Sequence, residues 1–475
     1  AEAVPFVKVG GLAEYVGGLA KALRKLGVDV RLMIPRYGDR KHIDMPRLHR
    51  LGSSISVPVG ARTEPTHLLR TEVGDVPVYL IYNEQYFGNR DRVYGFNDDA
   101  QRFVFFSRAV IAALPALDFT PDVVHANDWH TAPVVAWLDV DGRAEPPYRD
   151  IATLYTIHNF AYQGVCGRLL LNFGQMMNLP HLEVEPVGKV NWMAQAVAHA
   201  DVISTVSPTY AEELLETDLG GDLTPLLRDR GDSLFGVMSG IDTELWDPSS
   251  DDALTQTYDA ESLPMRQVNK TALQRELRLP AAFDVPLIGL VTRLDPMKGF
   301  EILPEAVEGV LAERDVQVVV LGTGDETIAE RLQGLQDRYP RNFRALIRFD
   351  ERLARRIFGG VDLYVTPSEA EAVSVGLMTA MHYGAVPVVR AVGGLADLVV
   401  DADAEPDRGV GFRFEGFSAD ALREALERAL AAYDDEARWM ALQYRAATRD
   451  VSWDAAAHAY IDLYTRARRL HANQT

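Results

Sequence analysis

Short runs rich in valine and isoleucine alternate with helical stretches along the whole chain, at residues 28–34, 76–82, 122–125, 152–157, 201–206, 287–291, 316–321, 362–366 and 386–389. Most are continuously apolar rather than alternating, the pattern of parallel strands covered on both faces. That repetition predicts an α/β chain with doubly wound parallel sheets. At 475 residues it is long enough for two large domains.

The intervening helices are legible by period. Leu12, Tyr15, Val16, Leu19, Leu23 and Leu26 form one apolar stripe that Gly27 ends. Residues 420–433 and 454–470 are also helical by pattern and by their Ala, Leu and Arg content. The string WDPSSDD at 246–252 is polar and aperiodic. The predicted division is therefore a first domain over 1–245, a linker or hinge over 246–262, a second domain over 263–453 and a last segment over 454–475.

Charge narrows the function. With 48 Lys and Arg against 68 Asp and Glu, the formal charge is −20. Such a field repels phosphate polymers and anionic lipid, which argues against nucleic-acid and membrane-surface partners. A neutral polymer feels no repulsion, and an anionic small molecule needs only a local basic cluster. Apolar runs are interrupted well before about 18 residues and no secretory core opens the sequence, so neither membrane spanning nor export is expected. The single cysteine, Cys166, excludes an internal disulfide and a Cys-built zinc site, which fits a cytoplasmic protein.

Two glycine strings echo each other: GGLAEYV at 10–16 and GGLADLV at 393–399. Gly10 and Gly11, like Gly393 and Gly394, open a helix without Cβ atoms, so a ligand can approach free backbone N–H groups. The alternative is a pair of ordinary glycine turns. Lys8 stands just ahead of the first string, where an ammonium adds to the helix dipole and suits a phosphate. Arg293 and Lys298 lie in TRLDPMKGF, on a strand-to-helix loop, and supply a bidentate fork and a point charge for a diphosphate. In TPSEAEAVSVGL, Glu369 and Glu371 both follow a strand, and either carboxylate could orient a sugar hydroxyl or stabilise a cationic anomeric carbon. His125, His130 and His158 cluster at strand ends, fitted to hydrogen bonding more than to a metal, with Trp129 and Tyr162 offering flat faces to a sugar ring. Asp139/Asp141 and Asp401/Asp403 have a metal-site spacing, but in so acidic a chain no catalytic metal is expected from them.

Together these strings, with HANDWHT, TIHNFAYQG, DVISTVSPTYAEE, SGIDTELWDP, LGTGD, PVVRAVGGLADLV and DVSWDAAAHAYIDLY, make the chain resemble the bacterial glycogen synthase and starch synthase family over nearly its full length. The resemblance implies the GT-B fold, two Rossmann-like domains facing a deep cleft, with the last helix crossing back to the first domain. It implies a retaining glucosyltransferase that moves glucose from ADP-glucose to the non-reducing end of an α-1,4-glucan such as glycogen, without a metal or other cofactor. Nucleotide is then expected on the second domain and glucan on the first. By position, Lys8 matches the lysine of the family's Lys-Thr-Gly-Gly-Leu motif, Arg293 and Lys298 its diphosphate-binding pair, and His158 its histidine near the glucose. Glu371 matches the catalytic glutamate, because Tyr383-Gly384 downstream registers without a gap. Tyr94, Asp128 and Trp129 match positions lining the cleft. The family also has a strand ahead of Ala1-Glu2, expected to sit centrally in the first sheet, so that a chain starting at Ala1 is expected to fold poorly.

Departures cluster in one loop. Where the family reads Pro-Ser-Arg-Phe-Glu-Pro-Cys-Gly-Leu, this chain has Pro367, Ser368, Glu369, Ala370, Glu371, Ala372, Val373, Ser374 and Val375. Ser239 replaces an Asn, Glu14 an Asp and Val9 a Thr. The altered loop keeps two alternatives in view: a glucan-binding relative with an impaired donor loop, and a glucosyltransferase using UDP-glucose or a short maltooligosaccharide.

Overall fold

Every residue of the strands Ala152–Ile157 and Gln317–Gly322 is buried, as expected of parallel strands with helices on both faces. The structure, a computed structural model, describes residues 1–38, 48–52, 54–117 and 119–473. It forms two units, Ala1–Gly240 with Trp453–Thr475, and Ile241–Ser452.

The second unit carries six parallel strands in the spatial order Phe343–Ile347, Gln317–Gly322, Leu287–Val291, Leu363–Thr366, Val386–Arg390, Phe412–Phe414. Numbered along the chain within this unit, that is the order 3-2-1-4-5-6. The order reverses between Leu287–Val291 and Leu363–Thr366, and loops at the carboxyl ends of those two strands diverge to leave a crevice. Val318, Val320, Leu332 and Leu335 are among the core residues joining sheet to helices.

In the first unit four parallel strands follow the order Leu234–Gly236, Val202–Thr205, Ala152–Ile157, Val123–Asn127. A second sheet pairs Leu32–Pro35 parallel to Val76–Tyr82, which pairs antiparallel with Arg62–Val73. Arg62–Val73 in turn pairs antiparallel with Ile55–Val59 and His49–Arg50. The edge strands Leu32–Pro35 and Val123–Asn127 both contribute to a cavity of about 440 Å³ whose wall includes Leu19, Leu23 and Val110. Helix Trp453–Ala472 belongs to this unit.

One device recurs in both units. Asp201 Oδ2 accepts the Thr153 N–H at 2.7 Å, and Asp362 Oδ2 accepts the Leu287 N–H at 2.8 Å. Each buried carboxylate, just ahead of its own strand, satisfies an N–H at the start of the neighbouring strand and so helps set the register.

Three expectations are corrected. The run at 28–34 becomes a strand only at Leu32–Pro35, because Asp29 and Arg31 pair with each other at 3.1 Å in the preceding loop. The first unit's sheets are not purely parallel: the strands between residues 49 and 73 pair antiparallel, and polar residues interrupt their apolar runs. The segment 246–262 is no free linker. Trp246 packs edge-on against Phe358 at 6.1 Å, Asp251 accepts the Tyr383 hydroxyl at 2.6 Å, and Tyr258 donates to the Tyr383 carbonyl at 2.8 Å. Its polar residues cap turns, as when Asp247 accepts from the Ser249 N–H at 2.8 Å, while its aromatic residues join the second unit's core.

Candidate functional site

The loops leaving the two strands at the order reversal bring Lys298 to Glu371. Lys298 Nζ lies 2.7 Å from Oε1 and 2.6 Å from Oε2 of Glu371, and Ser368 Oγ donates to Oε2 at 2.8 Å. Glu371 is buried. Three backbone features hold the loops together. Gly299 has φ +80°, and a Cβ there would stand 2.1 Å from the Pro367 carbonyl oxygen. Glu369 N–H donates to the Met297 carbonyl at 2.9 Å, and Gly394 N–H to the Glu371 carbonyl at 3.1 Å. Of the two candidate acids, Glu371 is the one buried against Lys298, whereas Glu369 is exposed and its carbonyl accepts from Arg390 at 2.5 Å.

Arg293 stands apart from that pair, its side chain 65% exposed and its guanidinium 4.0 Å from Asp295. It is a solvated cation at the same edge of the sheet. Phe349, past the carboxyl end of Phe343–Ile347, is 80% exposed, an aromatic ring bared at the sheet edge where doubly wound folds take ligands, and the sequence reading did not single it out. Its signal was available as the one aromatic in RFDER.

The altered loop is well formed. Ser374 is the N-cap of helix Val375–His382 and its hydroxyl accepts the Leu377 N–H at 3.3 Å. The serine that replaces the family's glycine is thus used locally. Gly394 likewise has a packing reason, because a Cβ there would come 2.6 Å from the Ala372 carbonyl oxygen. Gly393, with φ +43°, begins a helix of 6 residues.

In the first unit, Asp128 follows Val123–Asn127 with φ +55°, a left-handed position. Its Oδ1 accepts the His158 N–H at 2.8 Å, and burial raises its carboxyl to about 7. His158 Nε2 lies 2.9 Å from Asn127 Oδ1. Burial lowers the imidazole to about 3, which keeps the ring neutral, and an amide oxygen beside Nε2 favours the tautomer protonated there, with Nδ1 as the acceptor. Trp129 stacks on His130 at 4.2 Å, Tyr94 tilts over His130 at 4.9 Å, and Gly164 at φ +70° backs Trp129, where a Cβ would sit 2.6 Å from the indole.

Glu2 went unread in the sequence. Buried, it accepts N–H groups of Val9 at 2.6 Å and Gly10 at 3.0 Å through Oε2, and the Tyr94 hydroxyl at 2.7 Å through Oε1. An acid inside an apolar stretch ahead of a glycine turn was its only signal. The Gly10 N–H expected to await a ligand is therefore already bonded. A Cβ on Gly10 or Gly11 meets nothing within 4 Å, so no packing demand accounts for those glycines. Lys8 Nζ pairs with Glu14 at 2.8 Å, the lysine side chain being 42% exposed.

Lys8, Tyr94, Asp128, Trp129 and His158 are thus placed by the first unit, and Arg293, Lys298, Glu371, Gly393 and Gly394 by the second. His125 is structural: its two nitrogens lie 3.0 Å from Tyr464 Oη and 2.6 Å from Thr156 Oγ1. Both Asp-X-Asp pairs are engaged as well. Asp139 pairs with Arg143 at 2.7 Å and Asp141 accepts from Asn178 at 2.6 Å, while Asp403 bridges Arg428 at 2.7 Å and Arg438 at 2.6 Å. Among the described residues no three His, Cys, Asp or Glu side chains are grouped as a metal site.

Comparison with known proteins places these features. Glycogen synthase 2 of Geobacter sulfurreducens is 41% identical over 473 residues, spanning 98% of this chain and 97% of that protein. This chain belongs to the glycogen synthase and starch synthase family. A glycogen synthase of Bacillus cereus is 40% identical over 469 residues, spanning 98% and 97% of the two chains. The starch synthase catalytic domain profile matches residues 1–229, and the profile of glycosyl transferases group 1 matches residues 285–432. The solved catalytic domain of starch synthase IV from Arabidopsis thaliana, bound to ADP and acarbose, superposes with a TM-score of 0.91 at 32% identity, covering 99% of this chain and 98% of that one. Sucrose-phosphate synthase from Thermosynechococcus elongatus, at 20% identity and a TM-score of 0.59, shares the fold over 98% of this chain and 94% of that one. The chain has the GT-B fold of two Rossmann-like units and is a glucosyltransferase. No helix among the described residues is long and apolar enough to cross a membrane.

Proposed function

We propose that this glucosyltransferase moves glucose from ADP-glucose to the 4-hydroxyl at the non-reducing end of an α-1,4-glucan, with retention at the anomeric carbon. The observation that carries the reading is the Lys298–Glu371 pair, with Arg293 nearby in sequence, at the order reversal of the second unit's sheet. In the reaction the bond from the anomeric carbon to the diphosphate oxygen breaks and a bond to the acceptor oxygen forms on the same face. The acceptor's proton passes to the departing phosphate oxygen. Lys298 and Arg293 stabilise the growing charge on ADP, each tenfold in rate requiring about 1.4 kcal/mol of such differential stabilisation. Glu371 faces the cationic character of the anomeric carbon and keeps the Lys298 ammonium in place. His158 offers Nδ1 to a glucose hydroxyl, Lys8 contacts the donor phosphates, and Trp129 and Tyr94 offer ring faces to the glucan. No metal is called for, because two protein cations occupy the role of one. A chain with a single cysteine fits a cytoplasmic setting.

Support comes from the ligands of the Arabidopsis catalytic domain and from the intact helix cap at Ser374 in the altered loop. The test is ADP release and chain lengthening on glycogen, run with ADP-glucose, with UDP-glucose, and with chelator added. The expected result is release with ADP-glucose that chelator leaves unchanged. Activity no higher than a Glu371→Ala control overturns the reading, and faster turnover of UDP-glucose overturns the donor assignment.

A further inference from the structure

Helix Trp453–Ala472 reaches the first unit's candidate site through the ring of Tyr15. Tyr15 meets the His158 ring edge-on, with centroids 4.2 Å apart and planes at 80°. The other side of Tyr15 is enclosed by the helix, with Trp453 edge-on at 5.2 Å and Tyr460 at 6.1 Å. The approach of the helix depends on Gly18, one turn along from Tyr15, where a Cβ would lie 2.0 Å from the Trp453 indole nitrogen. A parallel chain of hydroxyls ties the same helix to the strands that carry Asn127 and His158. Tyr464 Oη is 3.0 Å from His125 Nδ1, His125 Nε2 is 2.6 Å from Thr156 Oγ1, Thr156 Oγ1 is 2.6 Å from Ser204 Oγ, and Ser204 Oγ is 3.4 Å from Tyr460 Oη.

Tyr15 is conspicuous within this cluster. Its ring is buried, and its hydroxyl, beside those of Tyr460 and Thr156, makes no well-formed hydrogen bond. Nothing in that arrangement makes the hydroxyl necessary, whereas the ring has contacts on both sides. The His158 imidazole is held on one side by the Asn127 amide and on another by the Tyr15 ring. Loss of the ring leaves the imidazole free to turn about its side-chain bonds, away from the orientation that presents Nδ1 as an acceptor.

We infer that Tyr15 is a positioning residue for His158, transmitting the hold of Trp453 and Tyr460 on the C-terminal helix to the imidazole and keeping Nε2 turned towards the Asn127 amide. The inference deepens the proposed function and rests on its assignment of His158 to a donor hydroxyl. Displacement of a group by about 1 Å in an active site can cost on the order of 100-fold in rate, and a ring that loses its edge-on neighbour has room for that.

The experiment uses the full chain and the variants Tyr15→Phe, Tyr15→Leu, Trp453→Ala and His158→Ala, each checked for an intact thermal transition. Two readouts are taken: kcat and KM for donor and glucan, and the His158 tautomer by ¹⁵N NMR of histidine-labelled protein. Tyr15→Phe, which keeps the ring, is expected within about 2-fold of the parent and with the Nε2-protonated signal. Tyr15→Leu, folded but ringless, is expected to lose about 30- to 100-fold in kcat, with mixed tautomer signals and a KM for glycogen near the parent value. Trp453→Ala is expected to fall between them. A folded Tyr15→Leu with the parent's tautomer signal overturns the inference, whatever the rates. If His158→Ala is itself active, the donor assignment fails, while the tautomer readout still decides whether Tyr15 positions the ring.

Discussion

Lys298 and Glu371 are 73 residues apart in sequence, yet the lysine Nζ contacts both carboxylate oxygens, at 2.7 and 2.6 Å. The two strands that deliver them are direct neighbours in the sheet. Glu371 is 8% exposed and the Lys298 side chain 20%, so either charge left alone is poorly solvated. Removing one partner of such a pair costs about 3 kcal/mol, while replacing both with apolar or neutral groups of similar volume is close to neutral. Lys298→Ala is therefore expected to lower the thermal midpoint, and Lys298→Met combined with Glu371→Gln to restore it. The double variant is nonetheless expected to stay at least about 100-fold below the parent in ADP release, since the electrostatic stabilisation is gone. Calorimetric melts beside an ADP-release assay separate the two effects.

The buried titratable groups of the first unit give its stability a pH signature of worked-out sign. Burial lowers His125 and His158 to about 3 and raises Asp128 to about 7. Unfolded, histidine titrates near ~6.5 and aspartate near ~3.9. Burial pushes His130 down as well, so between about pH 4 and 6.5 unfolding takes up protons at three histidines and releases one at Asp128, and stability falls on acidification by a net of about two protons, ~2.7 kcal/mol per pH unit. Above about pH 6.5 the histidines no longer contribute, and the stability contributed by Asp128 is lost as pH rises through about 7. Asp128→Asn, which tolerates the left-handed backbone, is expected to steepen the acid slope and to make stability rise more with pH, or fall less, near neutrality. Thermal midpoints measured from pH 4.5 to 8 check both changes.

Gly164 offers a steric test of Trp129. Its φ of +70° and the 2.6 Å approach to the indole leave a methyl group no room. Gly164→Ala is expected to cost about 1–3 kcal/mol in stability and to displace the indole. If Trp129 receives the glucan, KM for glycogen rises several-fold while KM for ADP-glucose holds. Equal changes in both constants contradict that role.

Most of the architecture was legible because it rests on period and burial. The buried strands of the second unit read as continuous apolar runs, and helix Gly11–Lys25 as an apolar stripe. Strand Arg62–Val73 was not legible, because Arg62, Glu64, Arg70 and Glu72 break any apolar run. Glu371 could be told from Glu369 by residues alone only through the resemblance, whereas the fold separates them by burial. Glu2, Tyr15 and Trp453 escaped for a shared reason. Each acts through partners distant in the chain: Tyr94 for Glu2, His158 for Tyr15, and Tyr15 with Gly18 for Trp453. No local pattern encodes such contacts.

The substitution at Ser374 decides whether the altered loop impairs the donor site. A serine cap replaced by glycine costs only a few tenths of a kcal/mol, and by alanine about 1 kcal/mol. The Ser374 hydroxyl is directed to the Leu377 N–H, which keeps it occupied with the helix end rather than obstructing Glu371. Ser374→Gly, which restores the family's residue, is therefore expected to leave stability nearly unchanged and ADP release within about 2-fold of the parent, whereas Ser374→Ala lowers the thermal midpoint by a few degrees. A gain above tenfold in the glycine variant would mean that the serine side chain stands in the donor's way, and that the chain as it occurs binds glucan better than it transfers glucose. The capping geometry argues for the first outcome, because a hydroxyl committed to a backbone N–H three residues on gives up that bond to turn towards a donor.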